Sequence, residues 1–305
     1  NVDVNIVAGP IIAGAFFGDR CSPMASSANL VAALTKTSLY LNLENMLKTS
    51  VLPFILTCAG YAFFSLGHPL IGGNNPILAA IPQSFDLNPI VLLPAVLIIA
   101  MAAVKIDVKI SMFLSSMVGM AIALFVQKVE LLTLLEYVAT GYQLGQQGPL
   151  SEVIKGGGLL SMLQVSLIVL ISSAYSGLFA GTGLLRDIEL AYELISRKTG
   201  IYISTLITSF VTSAFACNQT LAVMLTHQLA QETYEKKQVN RYRLALDLEN
   251  TVIVISPLIP WNIAGAVPAA ALSADSGFIP YALYLFFVPL TYFFTRKATI
   301  KEEET

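Results

Sequence analysis

Long uncharged stretches recur from one end of this 305-residue chain to the other. Counted from one charged residue to the next, 37 uncharged residues lie between Lys48 and Asp86, 18 between Asp86 and Lys105, 18 between Lys109 and Lys128, and 30 between Lys155 and Arg186. A further 33 separate Lys198 from Glu232, 25 separate Glu249 from Asp275, and 20 separate Asp275 from Arg296. A helix crosses roughly 30 Å of hydrocarbon with about 20 apolar residues, so each run holds at least one span. Lipid offers the backbone no hydrogen-bond partners, and the alternating pattern of a membrane barrel is absent, so the spans are helical. The fold class is all-α: a polytopic membrane protein.

Only 12% of the residues are charged, about half of what a soluble domain carries. A net charge of −2 without a basic stripe leaves no electrostatic footprint for nucleic acid. Cys21, Cys58 and Cys217 are far apart in sequence and read as free thiols. Spans are expected near 49–66, 89–104, 110–127, 158–184 and 277–295, with broken elements at 1–35, 200–230 and 244–275. With the 36–48 loop on the cytoplasmic side, 14 Lys and Arg residues fall inside and only Lys128 and Lys155 outside, Arg20 remaining within the membrane. That bias predicts a multi-pass protein of the inner (plasma) membrane with a cytoplasmic C-terminus, and requires segment 200–230 to enter and leave on one side. Asn1 is not an initiator Met, and the first apolar run begins almost at once, so helices are expected ahead of this single transporter domain of 1–305.

The most informative stretch is GAFFGDRCSPMASSANL, Gly14–Leu30. Between Asp3 and Lys36 the sole charged residues are Asp19 and Arg20, each flank being about 15 residues, so the pair is expected near mid-membrane at 1.5 Å of rise per residue. Ionised groups at that depth are costly and usually mark a transport pathway. Ser22-Pro23 should interrupt the helix, since Pro lacks an N–H and clashes with the preceding turn. The freed carbonyls and the hydroxyls of Ser22 and Ser26 beside a carboxylate suit a small cation, with Asp19 the sodium ligand. The plainer alternative, that Asp19 and Arg20 neutralise each other or cap a helix end at the membrane surface, conflicts with the geometry of helical neighbours, which do not face each other, and with the uncharged flanks on both sides. The G-x-x-x-G pairs Gly14/Gly18 and Gly177/Gly181 read as close helix packing.

The first region returns about 200 residues later: GAFFGDR at 14–20 is answered by SAFACNQ at 213–219, and Leu43-Glu44-Asn45 by Leu248-Glu249-Asn250. The chain thus divides into sequence-related halves of about 1–127 and 158–295, with broken or re-entrant helices. Asp19 and Arg20 align with Asn218 and Gln219, neutral amides in the middle of the 33-residue uncharged run. Paired repeats with broken helices point to a secondary transporter whose site lies between them. A hairpin at 200–230 satisfies the charge bias, whereas a single broken crossing satisfies an inverted repeat. In the second copy, Ser256-Pro257 and Pro260 break the helix and Asn262 is a deep polar contact. Glu249 is read either as an ion-binding acid or as a carboxylate at a helix entrance, and Trp261 as an interfacial or packing aromatic.

At these residues the chain resembles the NhaC family of sodium/proton antiporters. Gly18, Asp19, Ser22 and Pro23 match its GD-x-x-SP, Leu248 and Glu249 its LE-x, and Ser256 to Asn262 its SPLIPWN. The resemblance implies a multi-helix inner-membrane exchanger that moves sodium out against protons, with further helices ahead of the matched region. Two acids of the family pattern are missing: S-D-T becomes Ala25, Ser26 and Ser27, and the acid after LE is Asn250. The candidate ion- or solute-binding set is therefore Asp19, Ser22, Ser26, Asn29, Asn218, Gln219, Glu249, Asn250, Ser256 and Asn262. The neutral polar residues Ser26, Ser27, Asn29, Asn218, Gln219 and Thr220 can hydrogen-bond an organic acid or amino acid, so sodium- or proton-coupled exchange of such a solute is the alternative. Asp19, away from bulk water, can hold a proton or a sodium ion in turn, which yields exchange. No cofactor is implied beyond these transported ions, and a homo-oligomer in the lipid bilayer is compatible with such a chain. An intramembrane hydrolase finds little support in His68 and His227, without H-E-x-x-H or a serine elbow. A passive channel would differ from an exchanger in showing no counterflow.

Overall fold

The computed structural model describes residues 3–66, 81–82, 85–104, 106–142, 186–272 and 274–296, with scattered positions from 158 to 182. Among them every regular element is helical. The chain forms two compact units, one of residues 1–69 and 171–305 and the other of residues 70–170.

In the first unit, α1 (Val4–Cys21) starts at Asp3, whose side chain accepts from the Asn5 N–H at 2.9 Å. It stops at Ser22, which takes an extended conformation (φ −105°, ψ 136°) because the residue before a proline is excluded from the helical region. The Ser22 hydroxyl accepts from the Met24 N–H (3.2 Å), and Asn29 donates back to the Pro23 and Ala25 carbonyls (2.9 and 2.8 Å). α2 (Ser26–Thr35) follows and ends at Lys36 with φ 54°. α3 (Leu39–Leu66) is 28 residues long, a reach of about 42 Å. The expected 36–48 loop is thus only a short turn: Glu44 and Lys48 lie on the helix and pair at 3.7 Å across one turn. Charge at 44 and 48 was a poor marker of a loop because a helix end projecting from the hydrocarbon carries such i,i+4 pairs.

In the second unit, α4 (Leu93–Ala103), preceded by a 3-10 turn (Pro89–Leu92), packs on α5 (Val108–Phe125), with Ser115 donating to the Pro94 carbonyl at 2.9 Å. α6 (Leu131–Thr140) follows, a helix not anticipated from sequence. Phe113 and Phe125 stand exposed, as lipid-facing side chains do.

Back in the first unit, α7 (Arg186–Thr199) is a charged amphipathic helix, α8 (Ile201–Ala216) and α9 (Gln219–Lys236) flank Cys217 and Asn218, and α10 (Arg241–Glu249) leads to the single turn α11 (Val252–Ile255). A 3-10 turn (Ser256–Leu258) precedes α12 (Ile263–Ala271), and another (Ser276–Tyr281) precedes α13 (Leu283–Thr295). Thr212 meets Thr226 at 2.6 Å and Thr205 meets Tyr234 at 3.0 Å, so α8 and α9 fold back on each other as a hairpin. Its tip is Cys217 (φ 57°) and Asn218, whose side chain caps α9 by accepting from the Leu221 N–H. Segment 200–230 is therefore the hairpin, not a single crossing. The stretch Arg241–Leu258 bends by 55° into Ile263–Ala271 at Pro257 and Pro260, as read from the sequence.

Leu39–Leu66 and Val108–Phe125 are the described helices long and apolar enough to cross a membrane unaided, and the bent pair adds a third. The expected span 277–295 is interrupted at Ala282, and that at 158–184 lies largely outside the described residues, as do His68 and Gly177. Gly14 and Gly18 are not packing contacts, since a Cβ on either meets nothing within 4 Å; the close approach is at Gly9, where a Cβ would stand 2.5 Å from that of Tyr281. The G-x-x-x-G spacing misleads here because, among the described residues, nothing packs within 4 Å of either position.

Candidate functional site

Asp19 occupies the last turn of α1, half-buried, just before the break. The Ser27 hydroxyl reaches its Oδ2 at 2.8 Å and its carbonyl at 3.2 Å, and the Gln219 side chain stands beside the same carboxylate. Ser27 and Gln219 both stand in the first turn of their helices, α2 and α9, where the positive end of the helix dipole favours an anion. Gln219 is itself oriented by its bond to the Ile253 carbonyl at 3.1 Å. The break after α1 and the hairpin tip therefore meet at one carboxylate, and the two sequence-matched segments touch through Asp19 and Gln219.

Arg20 points the other way and is fully buried. Its guanidinium donates to the hydroxyls of Thr49 (2.8 Å), Ser50 and Tyr284 (3.0 Å) and to the side-chain carbonyl of Asn250. No carboxylate pairs with it among the described residues, so the idea that Asp19 and Arg20 simply cancel does not hold: one faces Ser27, the other a cage of neutral oxygens.

Glu249 is the last residue of α10 and is 1% exposed. The reading of it as a carboxylate at a helix entrance is thereby corrected, because it closes a helix in the interior and gains nothing from a positive dipole end. Neither carboxylate oxygen has a hydrogen-bond partner among the described residues, while Arg20 and Asp19 act on it electrostatically. Asn250, also fully buried, spends its carbonyl on Arg20.

The other candidates scaffold these groups. Asn262 caps α12 and donates to the Ser213 carbonyl at 2.8 Å; Ser256 meets the Ser213 hydroxyl at 3.0 Å; Trp261 donates to the Ala214 carbonyl. Together they fasten the bent segment to the hairpin near its tip, and Asn218 and Ser22 serve as caps. Ser26 and Asn29 are exposed, Asn29 being committed to backbone carbonyls, so the structure does not bring them to the Asp19 carboxylate. The helical register explains Ser26: its neighbour Ser27 takes the inward face.

Sequence reasoning named Ser27 only as one of a neutral set, and missed Thr49, Ser50 and Tyr284 altogether. The polar pair Thr49-Ser50 opening the 37-residue uncharged run was the available signal. It also passed over Asp247, a wholly buried carboxylate that accepts from Tyr234 and from Tyr292 (2.8 Å) and pairs with Arg296 at 2.6 Å. His227 lines a cavity of about 200 Å3 with Thr35, Lys36, Gln231 and Glu235.

The family model described as "Na+/H+ antiporter family" matches residues 14–295. The "Na(+)/H(+) antiporter NhaC" of Bacillus subtilis is 25% identical over 298 residues, 95% of this chain and 66% of that protein. Its namesake in Alkalihalophilus pseudofirmus is 26% identical over 303 residues, covering 94% and 64%. The "Malate-2H(+)/Na(+)-lactate antiporter" of Bacillus subtilis is 24% identical over 299 residues, covering 95% and 63%. The chain thus spans somewhat under two thirds of the length of these relatives. No solved structure matches it.

Proposed function

We propose, because this chain belongs to the Na+/H+ antiporter family, that the protein exchanges sodium for protons across the membrane, with Asp19 as the carboxylate that takes either ion. The observation that carries the reading is the setting of Asp19: a half-buried acid at a helix break, held by a hydroxyl from α2 and an amide from the α8–α9 hairpin. Sodium is a hard cation that prefers oxygen ligands. The Asp19 carboxylate, the Ser27 hydroxyl and the Gln219 side-chain carbonyl supply oxygens once the amide turns, and a proton occupies the same carboxylate in its place. Competition for one group, exposed to alternate sides by movement of broken helices, produces exchange.

The 14-to-2 distribution of positive residues supports an inner-membrane protein with its C-terminus in the cytoplasm. The relatives carry transporter names, in keeping with a carrier instead of an enzyme. In vesicles holding the full-length protein, Asp19→Asn should abolish pH-driven 22Na+ movement while the protein still inserts; unchanged exchange retires Asp19 as the carrier. A second reading, coupling to a small organic acid, is favoured by the similarity to the malate/lactate antiporter. It is separated from the first by asking whether malate or lactate inside the vesicle accelerates 22Na+ uptake.

A further inference from the structure

Four polar atoms around Arg20 are buried without a hydrogen bond among the described residues: Arg20 Nε, Asn250 Nδ2 and both oxygens of Glu249. A buried polar group without a partner calls for an explanation, and an ionised carboxylate with both oxygens bare is the least tolerable of such cases. The charged groups that act on Glu249 are Arg20 and Asp19, both from α1. The other titratable neighbours of Arg20, Cys21 and Tyr284, carry no charge in their protonated forms. The second acid of α10, Asp247, is closed off by Arg296 and two tyrosines. Sodium would need several oxygen ligands at Glu249, whereas no described group hydrogen-bonds either of its oxygens and the residue is 1% exposed. A proton needs neither space nor further ligands, and it removes the bare charge.

We propose that Glu249 is a proton-carrying station that works in tandem with Asp19, so that two protons are exchanged for each sodium ion. This rests on the reading of Asp19 as the sodium-exchanging carboxylate. With both acids protonated the cluster carries the single positive charge of Arg20. With sodium on Asp19 and Glu249 ionised beside Arg20, it is neutral. Arg20 is the positioning counter-charge that lets Glu249 exist without its proton, and sodium on Asp19 removes the like charge that otherwise opposes ionisation of Glu249. One net charge therefore crosses the membrane per cycle.

The test uses full-length protein in proteoliposomes, with potassium and valinomycin setting the potential, and reads the sodium accumulation ratio at equilibrium under a fixed pH gradient. Imposing 100 mV should shift the wild-type ratio roughly 40-fold, the equivalent of ~2.3 kcal/mol per charge at ~1.4 kcal/mol per tenfold. Glu249→Gln should still move 22Na+, with a ratio that ignores the potential. A wild-type ratio blind to potential, or a Glu249→Gln ratio that keeps the 40-fold response, overturns this proposal and leaves Asp19 untouched. Sodium movement surviving Asp19→Asn overturns the reading beneath it as well. Should Glu249→Gln fail to insert, the wild-type response decides alone: a sodium ratio that shifts less than about tenfold per 100 mV refutes the proton station.

Discussion

Removing Arg296 should weaken the protein far more than removing any surface charge. Its guanidinium holds Asp247 through Nη2 at 2.6 Å and Nε at 3.2 Å, and the Asp247 side chain is 0% exposed against 24% for Arg296. Arg296→Ala leaves that carboxylate with two tyrosine hydroxyls and without its ion-pair partner. Breaking a buried pair from one side costs about 3–5 kcal/mol, and the partial exposure of Arg296 places this case at the lower end, about 3 kcal/mol. At roughly 2–4 °C per kcal/mol for a domain of this order, the melting temperature of the detergent-solubilised full-length protein should fall by roughly 6–12 °C, read by size-exclusion after heating. The double variant Asp247→Asn with Arg296→Gln replaces charges by amides and should recover much of the loss, because no uncompensated charge then remains. The surface pair Glu193–Arg197, where Arg197 is 68% exposed, supplies the control: Arg197→Ala should leave the melting temperature essentially where it is. An Arg296→Ala protein melting within a degree or two of wild type refutes the reasoning.

Ser27→Ala removes one oxygen from the Asp19 carboxylate. A hydrogen bond to a charged group is worth about 1.5–3 kcal/mol, so the sodium concentration for half-maximal 22Na+ exchange should rise about tenfold or more, while Ser26→Ala, on the exposed side, should leave it unchanged. Gly9→Ala should destabilise, because its Cβ would lie 2.5 Å from that of Tyr281 and 2.7 Å from its backbone; Gly14→Ala, facing open space, should be neutral or stabilising through helix propensity, both read by thermal melts.

What the sequence disclosed follows from what it encodes locally. The breaks at Ser22-Pro23 and Ser256-Pro257 were legible because a proline acts on its own helix, and the hydrophobic runs because hydrocarbon thickness sets a length. Asp19 was legible because a charge in an uncharged run is conspicuous. The cage around Arg20 was not: Thr49, Ser50 and Tyr284 come from α3 and α13, and nothing in their local sequence separates a hydroxyl that serves a guanidinium from one that bonds its own helix, as Thr57 does with Pro53. Loop boundaries drawn from charge failed at Glu44 and Lys48 for the same reason, since charged side chains mark depth in the membrane and not the end of a helix.

The aligned positions also explain why one segment carries charge and the other dipoles. Gln219 stands where the first segment has Arg20, and it is Gln219 that reaches Asp19. Were the second segment to repeat Asp-Arg, a guanidinium would meet Asp19, satisfy it permanently and leave no vacancy for a monovalent cation. An amide binds the carboxylate without neutralising it, so the charge stays available to sodium or a proton. If Asp19 exchanges its ion as proposed, this departure of the second copy from the first is what leaves the carboxylate free to do so, and Gln219→Arg should lock Asp19 and halt 22Na+ exchange in a protein that still folds.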